Sequence, residues 1–464
     1  MSKFTKFFNK ISTAAVISTA IVCCVQARPG PHTGWYNPQA DTLYIADAIE
    51  LIGLAMFVNG TGGGAPFGPP LDFAGKTIIL KNDISFESVE WDGAKGWTPI
   101  GSHPNNPFSG TFDGGGNIIS GLYINDEDGD YIGLFGVVSG GTVKNLGIEG
   151  ANITGHYMVG AVAGILEYGD ITRCYSTGTI RTTYIAAGGI AGLISNGSVV
   201  TDCYSTADVI GVEGVGGIVG ILSRSGYVIN TYSIGAVIGG GGVGGIVGRG
   251  EPLPAIAPPD APPPCVLINS AALNPSVTRE LSNGIAGRVA GASPNHIHVL
   301  SNNTAFTGMN VNFGMPTGLA TNMHGADITI NEIHADGTLG GRFTSENGWT
   351  TENGKLPGLF GNAVNMPEHL GGSTSISYNR SRVSSLIPAV SVRGRTLNVK
   401  LPQSSVTQNL QVRMIDMRGR TAANFKIVNG IDNSFSLTKI PAGRYIVEIK
   451  NAGSRVNSMP VVIR

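Results

Sequence analysis

Three tyrosines recur at one position of a repeated phrase, and their spacing is the first chemistry in the chain. "CYSTGTI", "CYSTADV" and "TYSIGAV" place Tyr175, Tyr204 and Tyr232 at intervals of 29 and 28 residues. Stacked rings that face solvent would make a platform for sugar rings; rings that face inward would be core. The neighbouring position (Cys174, Cys203, Thr231) points the opposite way in a regular strand, and cysteine favours burial. Both orientations stay open, and the exposed ladder is the candidate binding site.

Other groups carry weaker chemistry. "NDEDGD" sets Asn125, Asp126, Glu127, Asp128 and Asp130 side by side, the oxygen-rich donor type that Ca²⁺ takes, with Asp126, Asp128 and Asp130 the weak candidate ligands. The run lacks a bidentate Glu at the required distance, so a solvated turn without a metal or other cofactor is expected. His296 and His298 in "NHIHV" share one face of a strand without a third ligand, which suits a surface pair. Cys174, Cys203 and Cys265 remain after the first 27 residues. Stacked Cys174 and Cys203 would have parallel Cβ vectors, which favours a reduced ladder over a disulfide. No HExxH or GxSxG motif occurs and the Gly-rich runs lack a directly following GK[ST], so zinc-peptidase, serine-hydrolase and phosphate-cradling chemistries lack their residues.

The element that must position these groups is a repeat. "YIGLFG", "VGAVAG", "GGIAG", "VGGIVG" and "VGGIVG" end at Gly136, Gly164, Gly192, Gly220 and Gly248, a period of 28 without slippage. Such a period marks a solenoid in which each repeat buries its apolar face only against its neighbours. Each repeat should contribute a rung of two or three strands, with rungs ~4.8 Å apart. Gly makes up 69 of the 464 residues, which disfavours helix. A β-propeller, the rival, needs blades of roughly 40 residues or more.

Flanking segments complete the organisation. "DTLYIADAIELIGLAMFVNG" has apolar residues at helical spacing and predicts a short helix that caps the first rung within residues 28–75, with Asp41 as N-cap and Gly60 at its end. The solenoid should run over 76–370, interrupted by a loop at 251–264 that holds seven prolines. Residues 371–385, rich in Ser and Gly, read as a linker. Alternating segments such as "TLNVKL" and "GRYIVEIK" predict an antiparallel β-sandwich over 386–464. Charge divides likewise: Arg380 to the end carries 14 Lys or Arg against three acids, whereas Arg28 to Asn379 is acidic. With a formal net charge of −1, nothing marks a nucleic-acid partner.

At the start, three lysines precede an apolar run that ends in "VQA", the pattern of a secretory signal cleaved after Ala27. No later apolar run reaches the roughly 18 residues of a membrane span.

The repeats from Gly133 to Gly248, in which "VGGIVG" precedes "CYSTG", resemble the GLUG-motif family, as do Trp97 to Ile124 and Asn347 to Gly361. That resemblance implies a secreted or cell-surface bacterial protein, adhesins among them, and brings no catalytic residues with it. The tail is similar to the C-terminal sorting domain of type IX secretion cargo. Asp416, Gly419 and Arg420 match its Asp-x-x-Gly-Arg turn, and Pro441, Ala442, Gly443 and Tyr445 its Pro-Ala-Gly-x-Tyr element. This implies a Gram-negative-type bacterium and an outer-membrane secretion machinery as partner of residues 386–464.

The expectation is therefore an all-β protein: a β-helix-like solenoid of 28-residue repeats with an N-terminal capping helix, then a small sandwich. Its expected role is non-enzymatic adhesion or binding at the cell surface, with a polysaccharide or cell-envelope ligand. A polysaccharide-cleaving β-helix enzyme and a structural spacer without ligand are the alternatives.

Overall fold

The computed structural model describes residues 33–61, 68–87, 89, 91, 95–250, 264–291, 297–314 and 318–372 of one compact unit. In a second unit it describes 389–393, 395–400, 410–416, 421–426, 432–451 and 454–463, the division between units falling at residues 373/374. The leader, most of the proline stretch, His296, Gly419 and Arg420 lie outside the described residues.

The first unit is a parallel β-solenoid. One coil consists of the strands Val199–Thr201, Tyr204–Ser205, Asp208–Ile210, Glu213–Gly216 and Val219–Leu222. The expected two or three strands per rung become five, joined within the coil by links of only two residues. At one corner Asn145, Arg173, Asp202, Asn230, Asn269 and Asn302 each adopt φ of 52 to 56°. A single left-handed residue turns the chain there, and Asn and Asp tolerate that conformation best among residues with a side chain. Their side chains also bond along the column: Asn230 Nδ2 donates to Asp202 at 3.1 Å, and Asn302 Nδ2 to Asn269 at 2.7 Å. Arg173 is the exception, and its guanidinium lies against Gly348.

Register converts repeat positions into columns. Val143, Ile171, Val200, Val228, Leu267 and Leu300 form one interior ladder, and Val159, Ala187, Val215, Val243 and Ala286 another. All are buried. A third column changes from sulfur to oxygen chemistry along the stack: Cys174, Cys203, Thr231, Ser270, Asn303. Its members stay paired, with the Thr231 and Ser270 hydroxyls 3.0 Å apart and Asn303 Oδ1 accepting from Ser270 N at 3.0 Å. That pairing meets the requirement for burying polar groups.

The repeated "VGGIVG" marks the sharpest corner. A Cβ on Gly216 would lie 2.1 Å from the Val219 carbonyl oxygen, and one on Gly217 would lie 2.1 Å from that of Gly245. No side chain fits either place, while Ile218 and Val219 beside them are fully buried.

Both ends of the stack are covered. Helix α1 (Ala48–Asn59) buries Leu51, Leu54, Phe57 and Val58. Asp47 caps it, its Oδ1 accepting from Glu50 N at 2.9 Å, and Gly60 ends it at φ 66°. Asp41 is thus not the cap; the strand Thr42–Ile45 occupies that stretch and pairs with Thr77–Leu80 as an added rung. After the last rung, helix α2 (Ile330–His334) opens a closing segment that continues through Phe343 and Trp349 into the hairpin Leu356–Leu359/Asn362–Val364.

The second unit has a three-stranded and a four-stranded antiparallel sheet. They enclose Leu397, Val399, Val412, Met414, Leu437, Tyr445, Val447 and Ile463, the expected small sandwich.

Two histidines tie stability to pH. Burial and the nearby Arg288 lower the His324 pKa, and burial lowers that of His369 despite the opposing pull of its Leu273 carbonyl partner. The folded chain therefore takes up protons less readily than the unfolded one. Stability from these groups is complete above the unfolded imidazole pKa of about 6.5 and is lost as pH falls below it. Urea midpoints should drop between pH 7.5 and pH 5.5, and the drop should shrink in a His324→Gln, His369→Gln variant; an unchanged drop would remove both from the account.

Candidate functional site

The tyrosine ladder forms, but not as a surface. Tyr175 and Tyr204 stack at 4.9 Å with 2° between planes, and Tyr204 and Tyr232 at 5.1 Å with 3°. Those separations match the ~4.8 Å spacing of paired strands, so the backbone imposes the face-to-face geometry. The rings are 7%, 5% and 0% exposed, which excludes the sugar-platform reading. The alternation rule does turn them away from the cysteines, which lie inside the coil; what sequence alternation could not show is that the closing segment folds back over them. Phe343 packs on Tyr232, Trp349 on Tyr232 and Tyr204, and Phe360 on Tyr175. The Tyr232 hydroxyl donates to the Pro357 carbonyl, and that of Tyr175 to Glu149 at 2.8 Å. Burial raises the pKa of all three phenols, so they stay protonated.

The acidic run does not converge on a metal either. Asp126 pairs with Lys95 at 2.8 Å and Asp130 with His156 at 3.1 Å, while Asp128 is exposed. Among the described residues no group of three or more His, Cys, Asp or Glu could hold an ion. Cys174, Cys203 and Cys265 are buried. His298 Nδ1 accepts from Cys265 N at 3.3 Å, which gives it a packing role.

A different flank of the solenoid carries the exposed chemistry. Its first feature is an exposed apolar set: Tyr184, Val212, Leu281 and Ile285 are 45 to 53% exposed, with Tyr184 and Val212 on successive coils and Leu281 and Ile285 together two coils beyond Val212, where Leu281 lies against Gly240 of the coil between. His156 stacks on Tyr184 at 5.2 Å and 10°, extending the set toward the first coils. Beside it runs a second left-handed corner, occupied in turn by Tyr131, Met158, Ala186, Gly214 and Gly242, with φ of 56 to 70°. Side-chain volume falls to nothing along that series. The facing column in the five-stranded sheet is Val137, Ile165, Leu193, Ile221 and Arg249. Met158 and Ala186 close against Ile165 and Leu193. At Gly242 the corner brings no side chain, Arg249 of the facing column lies against the glycine, and beside them opens a cleft of about 260 Å³.

Glu213, Arg249 and Asn283 line this cleft, with Val212, Leu281 and Ile285 forming its apolar wall. Glu213 and Arg249 are paired through Oε1 and Nη1 and remain partly exposed. Sequence reasoning passed over these residues because each looks like an isolated surface charge. The available signal was phase: Glu213 replaces Tyr157 and Ile185 in its column, and Arg249 replaces four aliphatics in its own.

Fold and flank together define a parallel β-solenoid scaffold with a cleft on one flank. Residues 155–181 match the family described as the GLUG motif, one turn of the repeat. The chain is 43% identical over 89 residues, 18% of its length, to a protein of Evansella cellulosilytica provisionally named a Gly-rich membrane protein. It is 36% identical over 104 residues, 22% of its length, to the halomucin of Haloquadratum walsbyi. These matches span 10% and 1% of the two relatives. The fold is shared with a crystal structure from Bacteroides ovatus, provisionally named an immunoglobulin A1 protease, at a TM-score of 0.51 and 21% identity over 69% of this chain and 93% of that one. Among the described residues no helix is long and apolar enough to cross a membrane.

The buried ladder predicts stability effects in place of ligand effects. Tyr204→Ala should lower the unfolding free energy by about 3–5 kcal/mol, the range for emptying a large aromatic site. Tyr232→Phe should lower it by about 1–3 kcal/mol by leaving the Pro357 carbonyl unpaired. Guanidinium unfolding of both variants checks this; wild-type midpoints would mean the closing segment does not cover the ladder.

Proposed function

We propose that the chain is a secreted or cell-surface protein that binds a polysaccharide or another cell-envelope component without transforming it, an adhesion role. The exposed apolar set and the cleft on one flank carry this reading. A rigid stack holds Tyr184 and Val212 on successive coils with Leu281 and Ile285 two coils further along, so a repetitive ligand would meet several weak contacts at once and gain by effective concentration. Exposed apolar side chains grouped on one flank are what interaction surfaces present. A surface location is supported by the relatives' names, one a membrane protein and one a halomucin.

Export belongs to the same proposal. The leader up to Ala27 would take the chain across an inner membrane, and residues 386–464 would engage a type IX-like machinery at an outer one. In the tail, Tyr445 is buried and its hydroxyl donates to the Pro441 carbonyl at 3.0 Å, so the Pro-Ala-Gly-x-Tyr element forms a compact turn with Pro441 exposed.

Two measurements test these statements. Full-length mature protein should be retained on insoluble polysaccharides or isolated cell envelopes with no release of reducing sugar; absence of retention on every matrix would end the binding reading, and sugar release would end the non-enzymatic one. Deletion of residues 386–464 should hold the protein in the periplasm, and its normal delivery to the surface would refute the sorting role.

A further inference from the structure

The cleft beside Gly242 has a chemistry of its own. Resting on the binding role proposed above, we infer that it is the seat for one uncharged pyranose ring of a glycan, the rest of which lies over the exposed apolar set toward Tyr184. Four observations lead there.

The first is charge. Glu213 and Arg249 neutralise one another within the cleft, so an ionic ligand would have to break their pair, whereas a neutral one can bond to the outer atoms of both. The second is hydrogen-bonding pattern. Arg249 offers only donors, Glu213 only acceptors and Asn283 both. A ring bearing adjacent hydroxyls, each donor and acceptor, satisfies such a set; an amine, a carboxylate or a hydrocarbon does not.

The third is shape. Leu281 and Ile285 are about half exposed at the rim and offer an aliphatic surface to the C–H face of a sugar. The volume of about 260 Å³ falls below the ~300–1,000 Å³ typical of drug-sized ligands and suits a single ring. The fourth is the taper. Corner positions that hold Tyr131, Met158 and Ala186 in earlier coils are glycine at 214 and 242, so at this end the Gly242 backbone and the Arg249 side chain lying against it form the floor. The following residues of a glycan would run back over Val212 to Tyr184 and His156, whose rings stack beside one another at the surface.

The site can be closed without straining the fold. Gly241 is not left-handed, and a Cβ there would meet only the Gly284 Cα at 3.5 Å, an ordinary contact. Gly241→Leu should therefore fill the cleft, and Asn283→Ala should remove its bifunctional amide. Full-length protein and both variants, matched by circular dichroism and melting temperature, are titrated with a soluble glucan, mannan and galactan, their methyl hexosides, and a polyuronate. Wild type should bind at least one neutral polymer and its methyl hexoside, and each variant should weaken that binding by at least ~tenfold, Asn283→Ala through a lost polar contact and Gly241→Leu through exclusion of the ring. Equal binding by wild type and both variants would overturn the cleft assignment and leave the binding role standing. Preference for the polyuronate, lost in Arg249→Gln, would overturn the neutral-ligand assignment. Binding to no polymer, with retention on cell envelopes intact, would overturn the glycan alone; failure of both would overturn this inference together with the role on which it rests.

Discussion

Strand after strand, each coil hydrogen-bonds to the next in parallel register, and every other property of the solenoid follows from that pairing. Tyr175 meets Tyr204 and Tyr204 meets Tyr232; Val143 meets Ile171 and Ile171 meets Val200. A position in the 28-residue repeat thereby becomes a column of side chains ~4.8 Å apart. A column must then be chemically uniform, or change in steps that neighbours can satisfy. Interior columns are aliphatic, one corner column is Asn or Asp at every place but Arg173, and the cysteine column passes into hydroxyl and amide groups only because each of these finds a partner in the stack.

The same pairing sets the cost of the design. A parallel stack exposes its aromatic outer column and its two ends, and an unpaired strand edge invites association. Helix α1 closes the first rung, and the segment after Ile328 both closes the last one and returns over the tyrosines. Phe343, Trp349 and Phe360 cover that column from the side, and His369 ties the returning arm to the Leu273 carbonyl at 2.7 Å. The ladder thus links elements more than a hundred residues apart in sequence, which makes it a fastening in place of a display.

The flank that stays open differs from the covered one in how it varies. Tyr, Met, Ala, Gly and Gly succeed one another at a single left-handed corner, and the corner side chain shrinks to nothing over the first three steps. Strict repetition would have produced either a filled seam or a uniform groove. Departure from repetition, at Glu213, Gly242 and Arg249, localises a cleft at one end.

The sequence by itself determined the stack: the phase of "VGGIVG" set the period, glycine excluded helix, and the position of the tyrosines placed them in one column. It also specified α1 through its apolar spacing, although Asp47, three residues before Glu50, and not Asp41 serves as cap. Local information sufficed there because parallel pairing repeats a short-range pattern, and because caps and corners depend on residues a few positions apart. Tertiary structure alone decided which face of the stack meets water. Burial of the tyrosines depends on Trp349 and Phe360, 117 residues beyond Tyr232 and 185 beyond Tyr175 in the numbering, and no periodicity carries that contact. The cleft was hidden for a related reason: Glu213 and Arg249 lie on different strands of adjoining sheets, and only the coil geometry that brings one column against the next makes them a pair.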